Sequence, residues 1–169
     1  GYGMTETAGT GVSLSEANAD RKQGSVGKPM RHLQIRIMKN EGGEALSGES
    51  GEIWFRGPVV TPGYWNNPQA NEEAYVNGWF RTGDIGTRDE DGFIYIQDRL
   101  KDMYISGGEN VYPKEVENVL YEIKGIREVA VIGVPDKRWG EGGCAVIVRH
   151  KDAEVTKDEI LAYCRPRLC

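Results

Sequence analysis

Apolar and polar residues alternate along several short stretches in the first hundred positions of the chain, which is the pattern of half-buried β-strands. Strands are predicted at residues 33–38, 51–57, 79–84 and 93–96, and a short helix at 72–75. Clusters rich in glycine, proline, asparagine and aspartate separate these stretches. Short strands with frequent turns predict a small, distorted β-barrel or sandwich over residues 24–98.

The pattern changes after Lys101. Pro113 can occupy the first turn of a helix, and apolar residues follow it at helical spacing. Buried strands are predicted at residues 129–134 and 144–148. The first of these strands is predicted to end at Pro135, and residues 156–159 carry a capping-box pattern before another helix. The chain therefore has an α+β order, with two architectures at residues 1–100 and 101–169.

Composition limits the classes of function. The 169 residues include 21 Lys and Arg against 26 Asp and Glu, a net charge of −5, which argues against nucleic-acid binding through bulk charge. No run approaches the roughly 18 apolar residues of a transmembrane helix, and the first residues lack a signal-peptide pattern. Three cysteines without CxxC spacing favour a reducing compartment over a disulfide framework or a zinc site. We therefore expect a cytoplasmic protein.

The segment GYGMTE, residues 1–6, is the first candidate for ligand chemistry. The hydroxyl of Thr5 can donate to a phosphate oxygen, and the carboxylate of Glu6 can hold Mg²⁺, which prefers oxygen ligands. Tyr2 offers a flat apolar surface to a base. The alternative is structural, with Thr5 as the N-cap of a helix and Glu6 beside the positive end of its dipole. The six residues alone leave both interpretations open.

Two charged residues are candidates for ribose binding. Asp84, in the tripeptide TGD, can accept hydrogen bonds from both hydroxyls of a ribose, but it can also cap a turn. Arg99 can reach a ribose or a phosphate with its fork of N–H donors. The alternative for the charges at residues 98–102 is a surface cluster of ion pairs, worth about 0–1 kcal/mol per pair.

Two further segments can serve a ligand or the fold. The glycine pair within residues 106–110 (SGGEN) can cradle a thin ligand arm against the backbone, or form a plain hairpin or helix entry. Trp139, next to two cationic residues, can stack on a nucleotide base or cover the edge of a domain.

Taken in order, five segments carry a resemblance to a known family: GYGMTE, GEIWFRG with GYW, GWFRTGD, GFIYIQDRLKDMYISGGENVYPKEVE and VPDKRWGE. Their order and spacing resemble those of the adenylate-forming enzymes, and within them the AMP-forming acyl-CoA synthetases. The resemblance spans essentially the whole chain. It implies that residues 1–100 end a large AMP-binding N-terminal domain and that residues 101–169 begin a small, mobile α+β C-terminal domain.

The resemblance implies a two-step reaction that uses ATP, Mg²⁺ and coenzyme A. A small carboxylic acid attacks the α-phosphate of ATP to give an acyl-adenylate and pyrophosphate, and the thiol of coenzyme A then displaces AMP. In this assignment Thr5 contacts the phosphates and Glu6 ligates Mg²⁺. Tyr2 and Gly3 lie beside the nucleotide, and Gly3 and Met4 border the acyl pocket.

The other implied roles follow the same motif match. Asp84 binds the ribose hydroxyls, with Arg99 holding the ribose and phosphate. Lys101 is the hinge on which the C-terminal domain turns between the two half-reactions. Trp139 faces the nucleotide end of coenzyme A. The tunnel for the pantetheine arm is lined by Ser106, Gly107, Gly108 and Glu109.

Several parts of the family pattern are missing from the chain. The Ser/Thr/Gly-rich phosphate loop, the late lysine of the adenylation step and much of the acyl pocket are absent from the sequence. There is no initiator methionine, and Cys169 falls inside a predicted helix, so we expect an internal piece of a longer protein. The piece alone is predicted to be inactive.

Three related functions remain as alternatives. An amino-acid adenylation domain of a peptide synthetase usually has a Lys-Ile-Arg-Gly pattern where this chain has residues 104–110, so the sequence favours a CoA ligase. A non-catalytic nucleotide-binding relative and a luciferase-like oxygenating relative also share the fold. The overall sequence of the motifs resembles that of general acyl-CoA ligases of bacteria, which favours a fatty or aryl acid as the substrate by analogy. The oligomeric state is not indicated.

Overall fold

In the computed structural model of the protein, which describes residues 1–168 apart from the side chain of Thr10, the chain divides into two compact units. These units are Gly1–Leu100 and Lys101–Cys169, and each has its own hydrophobic core. The strands named below pair in antiparallel fashion. None of the described helices has the length and apolar character needed to cross a membrane.

The first unit is dominated by strands. Its elements are β1 (Tyr2–Met4), a 3-10 turn (Thr5–Thr7), β2 (Gly9–Ser13), α1 (Glu16–Ala19), β3 (Lys28–Pro29), β4 (Gln34–Met38), β5 (Gly51–Arg56), α2 (Pro68–Ala74), β6 (Tyr75–Val76), β7 (Trp79–Arg88) and β8 (Ile94–Arg99). Strands β1, β2 and β3 form one sheet in that order. The other five strands form a curled half-barrel in the order β4-β5-β7-β6, with β8 also paired to β7. The predicted α+β class and the barrel-like subdomain are confirmed.

Alternation along the strands places the first core inside the curled sheet. On β4, Ile35 and Ile37 are buried while the intervening polar side chains are exposed. Ile53 and Phe55 on β5 are fully buried in the same cluster. Each such side chain contributes about 1.5–3 kcal/mol to folding relative to an exposed position. The predicted alternation therefore fixes which face of this sheet turns inward.

The helix predicted at residues 72–75 is longer than expected and begins earlier. It is α2, which starts at Pro68 and ends at Ala74. Asn67 is its N-cap and accepts a hydrogen bond from the backbone N–H of Ala70 (3.2 Å). Proline is well suited to the first position of a helix, so the residue taken as part of a turn cluster begins the helix instead.

Gly27 allows the closest backbone approach between β2 and the segment before β3. It adopts a left-handed conformation (φ +109°), and a Cβ there would overlap the backbone of Ser13 and Leu14. Gly24 is also left-handed (φ +80°), but a Cβ there would meet open space. We expect Gly24→Ala to lower the free energy of unfolding by about 1 kcal/mol through backbone strain alone. Gly27→Ala should lower it by about 3 kcal/mol or more, because the sheet must also shift.

The matched pair separates strain from overlap. Urea unfolding followed by circular dichroism measures both variants against the parent chain. Equal stability of the Gly24→Ala and Gly27→Ala proteins would show that the approach of the two backbones at Gly27 does not constrain the fold.

The second unit packs two helices against a four-stranded sheet. Its elements are β9 (Tyr104–Ser106), β10 (Glu109–Val111), α3 (Pro113–Tyr121), β11 (Ile126–Asp136), β12 (Gly140–Arg149) and α4 (Lys157–Cys164). The sheet has the order β10-β9-β12-β11. The core of this unit consists of Tyr104, Leu120, Ile126, Val129 and Val131.

The second unit agrees with two local predictions and departs from a third. The capping box of α4 is confirmed, since Thr156 Oγ1 accepts from the N–H of Glu159 (3.3 Å) and Glu159 accepts from the N–H of Thr156 (2.8 Å). Pro113 begins α3, also as predicted. The predicted strand end at Pro135 is wrong, because β11 is an edge strand and an edge tolerates a residue without an N–H. The expectation that Cys169 lies in a helix falls outside the described residues.

Candidate functional site

Three residues from distant parts of the sequence meet in the first unit. The hydroxyl of Tyr2 donates to Oδ2 of Asp84 (2.5 Å), and Nε of Arg99 lies 3.4 Å from Oδ1 of the same carboxylate. Asp84 and Arg99 are direct partners across β7 and β8. Asp84 is only 8% exposed, whereas the side chain of Arg99 is 64% exposed. The cluster therefore presents a nearly buried carboxylate with an exposed cation beside it.

Tyr2 reaches this carboxylate because β1 turns its side chain toward the core. The ring packs against Phe55, with 5.7 Å between the ring centroids. Burial of the phenol, together with its hydrogen bond to the Asp84 carboxylate, raises the pKa of Tyr2 well above its ordinary value. Tyr2 is therefore a protonated donor at neutral pH.

A cavity of about 590 Å³ opens beside Tyr2. Its lining residues are Gly1, Tyr2, Gly3, Met4, Thr5 and Gly9. Gly3 is exposed on β1, whereas Met4 is half-buried and packs against the first core. Five residues of the GYGMTE segment thus share one concave surface, which can receive a small ligand next to the Asp84 cluster.

The structural alternative for Thr5 is wrong. The 3-10 turn begins at Thr5, so its N-cap position is Met4. The buried side chain of Thr7 serves the cap instead, because its Oγ1 accepts from the N–H of Met4 (3.1 Å) and lies 2.8 Å from the carbonyl oxygen of Gly9. Thr5 is exposed on the cavity wall.

Glu6 is held by Tyr64 of the GYW segment, a residue to which the sequence analysis assigned no role. The hydroxyl of Tyr64 donates to Oε1 of Glu6 (2.8 Å), and the N–H of Thr61 donates to the carbonyl oxygen of Glu6 (2.8 Å). Burial and the Glu6 carboxylate raise the pKa of Tyr64 to about 12. The GYW segment therefore anchors the carboxylate that the resemblance assigns to Mg²⁺.

The donor set around Glu6 suits Mg²⁺ better than a metal that needs a full protein cage. The described residues contain no group of three or more His, Cys, Asp or Glu side chains that could hold a metal. Mg²⁺ commonly takes one or two carboxylates and completes its shell with phosphate oxygens and water. Glu6 can therefore hold Mg²⁺ together with a phosphate ligand.

Glu52 is another residue that sequence reasoning missed. It is buried within the apolar strand β5 and accepts hydrogen bonds from Trp54, Arg81 and the backbone of Gly83. A carboxylate between glycine and isoleucine in a predicted strand was a signal, because a buried charge requires partners.

In the second unit the predicted loop and the predicted aromatic come together. Ser106, Gly107, Gly108 and Glu109 form the hairpin between β9 and β10, with φ of +62° and +92° at the two glycines. Positive φ at both central residues is typical of a type I′ turn. The N–H of Gly107 donates to the carbonyl oxygen of Trp139 (2.9 Å). Of the two structural alternatives for this segment, a hairpin or a helix entry, the structure shows a hairpin.

The ring of Trp139 lies against this hairpin. A Cβ on Gly107 would come within 2.8 Å of the indole, so only glycine permits this approach. The guanidinium carbon of Arg138 lies 4.5 Å from the ring centroid of Trp139, and Trp139 remains about half exposed. Lys101 lies exposed in a turn as the first residue of the second unit.

The raised pKa values of Tyr2 and Tyr64 predict a loss of stability at alkaline pH. Unfolded tyrosine loses its proton near pH 10, whereas both phenols keep theirs to higher pH in the folded chain. The folded state thus binds more protons above about pH 10, so the free energy of unfolding falls as the pH rises from there. Urea unfolding between pH 8 and pH 11 measures this slope, and Tyr64→Phe should reduce it. An unchanged slope in Tyr64→Phe would contradict the assignment.

Comparisons with known proteins match this arrangement. The AMP-binding enzyme family matches residues 1–65, and the AMP-binding enzyme C-terminal domain matches residues 115–169. The chain is 49% identical over 168 residues to a feruloyl-CoA synthase of Amycolatopsis sp, covering 99% of this chain and 34% of that protein. It is 46% identical to the long-chain-fatty-acid–CoA ligase FadD13 of Mycobacterium tuberculosis, covering 99% of this chain and 33% of that protein. The chain thus spans about a third of the length of these relatives.

A solved structure agrees over the whole chain. The o-succinylbenzoate CoA synthetase MenE of Bacillus subtilis, in complex with its acyl-adenylate intermediate, has a TM-score of 0.91 and 44% identity, and the match covers 99% of this chain and 34% of that one. The same enzyme has also been solved with ATP and a magnesium ion (TM-score 0.88, 43% identity, the same coverage). The motifs, the fold and these relatives agree: the chain belongs to the AMP-binding, adenylate-forming enzymes.

Proposed function

We propose that this chain supplies part of the nucleotide site and part of the coenzyme A site of an AMP-forming acid–CoA ligase. The observation that supports this most strongly is the buried carboxylate of Asp84, bonded by Tyr2 and Arg99 next to a cavity lined by the GYGMTE segment. A carboxylate with few solvent contacts is a strong acceptor for the paired hydroxyls of a ribose. The relatives named as CoA ligases supply the class of reaction.

In the proposed first half-reaction, the carboxylate of the acid attacks the α-phosphorus of ATP, a P–O bond to pyrophosphate breaks, and an acyl-adenylate forms. Asp84 accepts from the ribose hydroxyls, and Arg99, which is exposed and can swing, donates to the ribose or phosphate. Thr5 donates to a phosphate oxygen from the cavity wall. Tyr2 and Gly3 flank the nucleotide.

Mg²⁺ fits the proposed site through Glu6. When bound, the ion neutralises phosphate charge as the pyrophosphate leaves. The hydroxyl of Tyr64 donates to Oε1 of Glu6 (2.8 Å) and so holds this carboxylate in place. Met4, next in the chain to Gly3, is proposed to border the acyl pocket.

In the proposed second half-reaction, the sulfur of coenzyme A attacks the acyl carbon, the bond to AMP breaks, and the thiol proton leaves to solvent. The glycine turn at Gly107 and Gly108 presents backbone without side chains, which suits a thin pantetheine arm. Ser106 and Glu109 flank that turn. Trp139 is proposed to contact the nucleotide end of coenzyme A, and Lys101 is proposed as the hinge between the two poses.

The proposed substrate is a small carboxylic acid, of the fatty or aryl class. Relatives of almost equal identity are named for a long-chain fatty acid and for a feruloyl group, so identity alone does not choose between the two classes. Gly3 and Met4 on β1 are the proposed contribution of this chain to the acyl pocket.

Acid-dependent exchange between ATP and pyrophosphate tests the proposal. The complete gene product and the 169-residue chain are assayed side by side with fatty acids of graded length and with hydroxycinnamic acids. We expect the complete gene product to exchange pyrophosphate and form acyl-CoA, and the 169-residue chain to do neither. Robust exchange by the 169-residue chain would contradict its predicted inactivity.

The exchange assay, together with nucleotide titration and analysis of the products, separates the alternatives. Exchange that depends on amino acids, with no CoA thioester formed, would assign the parent to peptide synthetases. Nucleotide binding without any exchange would assign it to non-catalytic relatives. Release of an oxidised, light-emitting product would indicate an oxygenating relative. Each of these outcomes would overturn the proposed ligase activity.

A further inference from the structure

The register of the β5–β7 pair is irregular in the stretch of β7 that contains Asp84. Glu52 pairs with Ile85, and Trp54 pairs with Arg81. The two residues on β5 are therefore two positions apart, whereas their partners on β7 are four positions apart. The extra residues of β7 form a bulge, and backbone N–H groups in a bulge lose their partners on the neighbouring strand. Side chains must therefore supply the missing acceptors in this stretch.

Glu52 supplies one of these acceptors. Its Oε1 accepts from the N–H of Gly83 (3.1 Å), and its Oε2 accepts from Nε1 of Trp54 (2.8 Å) and from Nε of Arg81 (3.0 Å). Glu52 is only 5% exposed, so these hydrogen bonds are largely shielded from solvent. Three donors, one of them the guanidinium of Arg81, fix the carboxylate in one orientation.

One of the hydrogen bonds to Glu52 comes from Gly83, the residue directly before Asp84. Gly83 is left-handed (φ +72°), and its carbonyl oxygen accepts from the N–H of Leu100 (2.8 Å), so both the N–H and the carbonyl group of Gly83 are held. The N–H of Asp84 donates to Oγ1 of Thr82 (3.0 Å). The direction in which the Asp84 side chain leaves the backbone thus depends on the held bulge.

We propose that Glu52 is a positioning residue for ribose recognition: it holds the bulge so that the carboxylate of Asp84 faces the hydroxyls of the nucleotide. Glu52 does not touch the nucleotide itself. The proposal rests on the proposed function, which assigns the ribose to Asp84. It gives a role to the buried carboxylate of Glu52, which is neither a member of the apolar core of the first unit nor a lining residue of the cavity.

The test uses ribose hydroxyls as the probe. Dissociation constants of the complete gene product for ATP and for 2′,3′-dideoxy-ATP are measured by titration calorimetry. We expect the parent protein to prefer ATP by about 10- to 100-fold, since each hydrogen bond to a charged acceptor contributes about tenfold or more. In Glu52→Gln the preference should fall below about threefold, while the affinity for dideoxy-ATP changes less than about twofold.

A purely structural role for Glu52 would give a different result. General loosening of the sheet weakens both nucleotides equally and leaves their ratio unchanged. Glu44→Gln is the matched control, because Glu44 also pairs with arginines, at Arg36 and Arg88, but on an exposed part of the same unit. This control should keep the parent preference for ATP.

The outcomes distinguish the two levels of the proposal. A parent protein that binds ATP and dideoxy-ATP equally, or an Asp84→Ala variant that keeps the preference, would overturn the assignment of the ribose to Asp84. If the parent discriminates, Asp84→Ala does not, and Glu52→Gln still does, only the role of Glu52 is overturned. If Glu52→Gln fails to fold, Trp54→Phe takes its place. Removing that one donor should lower the preference by about two- to threefold, and an unchanged ratio in the folded variant would contradict the proposal.

Discussion

Asp84→Asn is expected to weaken ATP binding by about 100-fold and to lower acid-dependent pyrophosphate exchange by at least the same factor. Asparagine keeps the shape of the side chain but removes its charge and one acceptor oxygen. A hydrogen bond to a charged acceptor is worth about 1.5–3 kcal/mol, and under the proposed function two ribose hydroxyls lose such an acceptor. The complete gene product, titrated with ATP and assayed for exchange, provides the measurement.

Asp91→Asn is the matched control for this substitution. Asp91 lies in the turn between β7 and β8, is largely exposed, and pairs with Lys22 (2.7 Å), which also pairs with Asp89. The same chemical change there should alter ATP binding by less than about twofold, since exposed pairs contribute about 0–1 kcal/mol. Equal ATP affinity in Asp84→Asn and the parent would remove Asp84 from the nucleotide site.

Gly133→Ala is expected to destabilise the second unit by about 2–3 kcal/mol. A Cβ at this position would lie 2.5 Å from Cβ of Tyr104, a buried member of the core. Gly143, the direct partner of Gly133 across β11 and β12, would meet the hydroxyl of the same tyrosine. The two glycines therefore form the surface on which the Tyr104 ring rests. Overpacking of this kind costs about 1–3 kcal/mol, a large part of the stability of a small unit.

Gly142→Ala provides the control on the same sheet. A Cβ at Gly142 would lie 3.5 Å from the Asp136 side chain, which is an ordinary contact. The free energy of unfolding of Gly142→Ala should therefore stay within about 0.5 kcal/mol of the parent value. Thermal unfolding by calorimetry measures both variants. Combining Gly133→Ala with Tyr104→Gly should cost less than the sum of the two single changes, because Tyr104→Gly removes the Cβ that the new methyl group would overlap. Full additivity would show that Tyr104 is not the obstacle.

Local signals in the sequence predicted much of the fold. The alternation at residues 34–38 reports which side chains face the core, and the Thr156–Glu159 capping box requires only four consecutive residues. Pro135 misled the prediction because its tolerance depends on β11 being an edge strand. Neighbouring residues do not reveal the order of strands in a sheet.

The candidate site was harder to predict because its contacts are distant in sequence. Tyr2 and Asp84 are separated by 82 positions, and their hydrogen bond depends on the packing of Tyr2 against Phe55. The motif resemblance nominated both residues without indicating that they touch. The position of Glu52 in an apolar strand signals a buried carboxylate, but its partners follow from an irregularity in the pairing of β5 with β7, which no local pattern encodes.

The separate cores of the two units have a consequence for protein engineering. Residues buried in the first core belong to positions before Leu100, and those of the second to positions after Lys101. A crossover between Leu100 and Lys101 therefore divides neither set of packed side chains. Exchanging halves with a relative at this peptide bond leaves each core with its own original sequence. Under the proposed function, such chimaeras would test which unit determines the choice of acid and which determines the choice of thiol.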